Sequence, residues 1–130
     1  MARSIIYGIV LLVIVCSCAY FPSTTKNTPR NTDPWRELWE CYEHFGSRKL
    51  GTLTVNHRDS TGTVYFAGIV ANTKFSIQGI ERRWDWDWGA DGRSNSAIVV
   101  SPDGSGRYYN FRASTDGTAK PSELFQCSFR

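Results

Sequence analysis

Histidine is scarce in this chain. His44 and His57 are the only two in 130 residues, and neither lies in an H-E-x-x-H or nucleophile-elbow context. An enzyme therefore has little to work with, and a small hydrolase using His57 and Asp59 stands only as an alternative. The body cysteines, Cys41 and Cys127, have no close partner in C-x-x-C spacing, so no zinc site and no metal are expected. Asp85, Asp87 and Asp91 lack the D-x-[DN]-x-[DN]-G order of a calcium loop and read as solvated carboxylates paired with Arg82, Arg83 or Arg93. The stretch 102–106 is a turn with no helix after it to cradle a phosphate. No cofactor is implied. The 15 basic and 12 acidic side chains are interspersed, which excludes the one-sided basic footprint of a nucleic-acid binder. Long apolar runs are missing as well. The run 5–15, IIYGIVLLVIV, is eleven residues, too short to span a hydrocarbon core of roughly 30 Å.

What is present begins with that run. Behind Arg3 it has the size of a secretory h-region, and it ends in Val15-Cys16-Ser17-Cys18. This tetrapeptide resembles the bacterial lipobox, with Cys16 an unusual occupant of its middle position. The resemblance implies that Cys18 is acylated and becomes the mature N-terminus. Ala19, where an aspartate would signal inner-membrane retention, implies the periplasmic face of an outer membrane. Ordinary signal-peptidase cleavage after Ala19 is the competing reading, because Ser17 and Ala19 are small residues in the A-x-A relation; it leads to a soluble periplasmic or secreted protein. The stretch 20–32, YFPSTTKNTPRNT, is too polar to offset its conformational entropy by burial and reads as a tether. The chain thus divides into a lipoprotein-type signal segment (1–18), a polar tether (19–32) and one globular domain (33–130).

For that domain the sequence predicts an α+β fold. Asp33-Pro34 offers a capping acceptor and a first-turn proline, and Trp35, Leu38, Trp39, Tyr42 and Phe45 follow at three- and four-residue steps before Gly46. This pattern predicts a helix over 34–45. Beyond it, β-branched and aromatic residues predict strands over 52–56, 63–71, 74–79, 84–88, 96–101, 107–112 and 123–129, with turns that include Asn72-Thr73. The connections are too short for helical crossovers, so an antiparallel meander of five to seven strands is expected beneath the helix. In an oxidising compartment Cys41 and Cys127 are expected to pair, tying the helix to the last strand.

The most unusual segment is Glu81-Arg82-Arg83-Trp84-Asp85-Trp86-Asp87-Trp88. In a regular strand Trp84, Trp86 and Trp88 share one face. That face is either a candidate binding platform or a roof over the core; the cost of an unpaired buried carboxylate favours indoles facing inward, near Trp35, Leu38 and Trp39. The leading expectation is a non-enzymatic interaction module, held at a membrane by its N-terminal lipid and binding an unknown envelope or exogenous protein. A binder of glycans or apolar ligands through the aromatic face is the alternative.

Overall fold

The computed structural model describes residues 33–113 and 120–130; the signal segment, Cys18 and the tether lie outside them. Eight strands follow one another: β1 (Arg36–Glu43), β2 (Lys49–Asn56), β3 (Thr61–Phe66), β4 (Ile69–Gln78), β5 (Glu81–Trp88), β6 (Ser94–Val100), β7 (Ser105–Asn110) and β8 (Glu123–Phe129), with one 3-10 turn at Phe111–Ala113. Each strand pairs antiparallel with the next, and β8 returns to β1. The result is a closed up-and-down barrel with no unpaired sheet edge.

This corrects the expectation of an α+β fold with five to seven strands beneath a helix, because eight strands close on themselves and bury the apolar face of the sheet without a helix to cover it. Residues 36–43 form β1 and not a helix, so the protein is all-β among the described residues. The capping chemistry of Asp33 serves a turn: its Oδ1 accepts the Trp35 N–H at 3.0 Å, and its carbonyl accepts the Arg36 N–H at 3.0 Å. The three- and four-residue apolar spacing arises because both faces of β1 carry large side chains. Trp39 and Cys41 point into the barrel, whereas Leu38 and Tyr42 are half-buried outside.

The strand expectation over 63–71 also merged two elements. The chain reverses at Ala67-Gly68, with φ values of 47° and 83°, the paired left-handed conformation of a two-residue hairpin. Phe66 then faces Ile69 and Val64 faces Ala71. Asn72-Thr73, expected as a turn, lies within β4.

Alternation fills the interior. Leu53 and Val55 of β2, Val64 and Phe66 of β3, Phe75 of β4, Trp84 and Trp86 of β5, Ile98 and Val100 of β6, and Phe125 of β8 form one core, each such burial contributing about 1.5–3 kcal/mol. Phe66 meets Phe125 at 4.5 Å and Phe75 meets Trp84 at 5.3 Å between ring centroids. Trp84 is fully buried, and its Nε1–H donates to the Thr54 carbonyl at 2.8 Å. Gly62 makes that reach feasible, because a Cβ there would collide with both the indole and that carbonyl. The outside carries charge at mid-height, including Glu40, Lys74, Arg83 and Arg107. Apolar inside and charged outside is the reverse of a membrane-spanning barrel.

Cys41 and Cys127 are bonded, with Cα atoms 4.0 Å apart, and they stand directly opposite each other in the β1–β8 register. The expected disulfide is therefore present. It joins first strand to last and clamps the seam that closes the barrel.

Candidate functional site

Two arrangements deserve chemical scrutiny, one at the barrel's end and one on its outer wall. The end where β1 starts and β8 finishes, called here the lower mouth, is crossed by a polar plug. Glu37 projects inward from β1 and accepts four hydrogen bonds. Arg82 of β5 donates through Nε at 2.8 Å and Nη2 at 3.1 Å, the Trp39 indole at 2.8 Å, and His57 Nε2 lies 2.8 Å from Oε1. The Arg82 guanidinium also stacks 5.1 Å above the Trp39 ring. Burial alone would raise the Glu37 pKa, but the bonds from Arg82, Trp39 and His57 outweigh it and hold the pKa at about 2. A carboxylate so saturated is a poor proton carrier near neutral pH. The Asp59 carboxylate, paired with His57 in the hydrolase alternative, instead accepts from the Thr61 hydroxyl at 2.6 Å, while the His57 ring packs edge-on against Phe75. The plug spans this end of the barrel, and in it His57 faces Glu37 rather than Asp59.

The second arrangement is a groove of about 750 Å³ on the outer face of β1–β4. Strand register builds its floor in rows. Leu38, Thr54, Thr63 and Asn72 stand side by side across four strands, and Arg36, Asn56, Thr61 and Lys74 form the row below. The Thr54 and Thr63 hydroxyls are 2.6 Å apart and bonded to each other. Short polar side chains leave the wall shallow here, and Trp88 with Lys74 raises one rim, the ammonium 4.3 Å from the indole centroid. One pleat above, Tyr65 and Val70 face each other across β3 and β4 and are 61% and 75% exposed.

The structure separates the three tryptophans that the sequence aligned. Trp84 and Trp86 are 0% and 8% exposed, the latter stacked on Tyr108 at 5.9 Å, while Trp88 is 43% exposed. Asp87 is the cause. Its φ of 57° breaks the alternation, so Trp88 leaves the inner row and joins Lys74 outside. Asp87 pairs with Arg112 at 3.0 Å. Asp85 faces outward as expected but is 8% exposed, held by Arg83 at 2.8 Å and by the Ser94 hydroxyl at 2.6 Å. Among the described residues no three His, Cys, Asp or Glu side chains converge as metal ligands.

Sequence reasoning missed the groove, although the threonine alternation in T-L-T-V-N and T-G-T-V-Y was its signal. The plug left no such signal, because Glu37 and Arg82 are 45 residues apart. No protein-family model, curated protein or solved structure matches the chain.

Proposed function

We propose that this protein is a non-enzymatic interaction module, exported and held by an acylated Cys18 at the periplasmic face of an outer membrane, which takes a partner protein on the groove of β1–β4. One observation carries the binding surface: exposed Trp88, Tyr65 and Val70 border a floor of hydroxyls and amides with Arg36 and Lys74 beside it. Aromatic and aliphatic anchors among hydrogen-bonding groups are the composition of a protein interface. Side chains of one hydrophobic core occupy the interior. Closure also removes strand addition to a sheet edge as a binding mode, so the partner meets side chains.

The leader supports the location through its apolar run and the lipobox-like Val15-Cys16-Ser17-Cys18. A glycan ligand is the second reading, favoured by the juxtaposition of Trp88 with Asn72, Thr54 and Thr63. Site-specific photo-crosslinking in cells distinguishes the two. A crosslinker at position 63 is expected to capture a discrete protein that one at position 124, on β8, does not, and Trp88→Ala is expected to abolish the adduct. Absence of any protein adduct, together with Trp88-dependent binding on a glycan array, replaces the first reading with the second.

A further inference from the structure

The lower mouth carries a surface for which neither the core nor the groove accounts. Trp35, Ile77, Ile80 and Phe129 are 47%, 56%, 73% and 58% exposed, and the topology brings all four to this one end. They gather about the plug. Ile77 stands opposite Arg82 in the β4–β5 register, the Trp35 carbonyl accepts the His57 N–H at 2.8 Å, and Phe129 packs edge-on against Trp39 at 5.4 Å. Ile77 continues the inward row of Thr73 and Phe75 to a point where the barrel no longer covers it. Ile80 occupies the β4–β5 reversal beside Gly79, a position where turns use Gly, Asn or Asp. Exposed isoleucines at a hairpin tip, grouped with a tryptophan and a phenylalanine, form the kind of patch that marks an interaction site.

What covers it is indicated by the chain itself. The residues preceding Asp33 join the barrel at this mouth, and they contain Cys18, the anchor of the proposed function. We infer that the lower mouth docks on a lipid bilayer, with Ile77 and Ile80 at the acyl boundary and Trp35 at headgroup level. Tryptophan favours that depth because its ring is apolar and its N–H polar. The Arg58 guanidinium, 5.7 Å above the Trp35 ring, lies where a lipid phosphate can meet it. In the proposed anchoring, on which this inference rests, an acyl chain on Cys18 and the stretch 19–32 keep this face near the membrane, since that length of chain spans at most about 50 Å. Such confinement lets a shallow apolar contact suffice for docking. The groove, on the barrel's side wall, stays open to a partner while the end is docked.

The mature protein beginning at acylated Cys18, reconstituted in phosphatidylcholine and phosphatidylglycerol vesicles with brominated acyl chains, tests this directly. Tryptophan fluorescence is expected to be quenched, with Trp35→Phe removing most of the quenching and Trp88→Phe removing none. The Ile77→Ser, Ile80→Ser double variant is expected to fall to the level of Trp35→Phe. All these positions are exposed, so thermal melts matching the parent verify the fold. Quenching that is insensitive to Trp35 or to the isoleucines overturns the inference. So does a lipid-free dimer that Ile80→Ser dissolves, which assigns the patch to a second copy. Shielding of Trp35 from aqueous iodide, equal with and without vesicles, also overturns it by assigning the patch to the chain's own N-terminal segment.

Discussion

Arg82 of β5 spans the lower mouth to hold Glu37 of β1 with two N–H groups, Nε 2.8 Å from Oε2 and Nη2 3.1 Å from Oε1. This pair joins strands on opposite sides of the barrel and takes its orientation from Trp39 and His57. The acid stability of the protein is expected to depend on it.

The Glu37 pKa is about 2 in the folded protein against an ordinary value of 4.5. A depressed folded pKa means that the folded state favours the carboxylate, so its contribution is complete above pH 4.5 and is lost as the pH falls toward 2. The shift corresponds to about 3 kcal/mol. Urea unfolding at pH 7 and pH 3 is expected to show Glu37→Gln costing about that much at pH 7 and much less at pH 3. An equal cost at both pH values contradicts the assignment.

The disulfide gives a second expectation. Cys41 and Cys127 are separated by 86 residues, and cross-linking so long a loop restricts the unfolded chain by about 4–5 kcal/mol in the entropic account. The Cys41→Ser, Cys127→Ser double variant is expected to unfold at a correspondingly lower urea concentration. Thiol labelling of the folded parent without reductant is expected to modify neither residue, and labelling of both would refute the bond.

The leader is tested separately from the barrel. If Cys18 is acylated, mass spectrometry of the mature protein finds a lipid-modified N-terminal cysteine, and Cys18→Ser accumulates as an unlipidated precursor. A free Tyr20 N-terminus instead identifies cleavage after Ala19.

How far the sequence spoke for the fold can be judged residue by residue. Antiparallel β structure and the Cys41–Cys127 bond were legible, because period-two alternation and cysteine pairing are local or compositional signals; the eighth strand and the closure of the barrel were not. Nor was β1. Its inner row is Glu37, Trp39 and Cys41, and a carboxylate at an inner position disguises the alternation unless its partner is known. That partner, Arg82, is 45 residues away, and nothing in the neighbourhood of Glu37 announces it. Glu37, Glu40 and Glu43 meanwhile imitate the polar face of a helix, although Glu40 binds Lys49 on β2 and Arg130 at the chain's end. The groove was half legible: the threonine rows are in the sequence, but the register that aligns them with Asn72 and Lys74 follows from the Ala67-Gly68 reversal, which the apolar run 63–71 concealed.

The three tryptophans of β5 supply the last prediction, because one backbone angle at Asp87 assigns them different roles. Trp84 and Trp86 keep the inner row and are buried among Phe75, Tyr108 and the rest of the core, whereas the left-handed φ of Asp87 delivers Trp88 to the groove. Truncating a core aromatic removes its transfer energy and leaves a cavity, so Trp86→Ala is expected to cost about 3–5 kcal/mol. Trp88 is 43% exposed and its contact with Lys74 is a surface cation–π pair, worth about 0.5–1 kcal/mol. Trp88→Ala is therefore expected to melt close to the parent. The two variants should part again in the crosslinking assay from position 63: Trp88→Ala loses the adduct while folded, and Trp86→Ala loses it only under conditions that unfold the barrel. A Trp88→Ala protein that retains the adduct would remove the groove's rim from recognition, and one as unstable as Trp86→Ala would return Trp88 to the core.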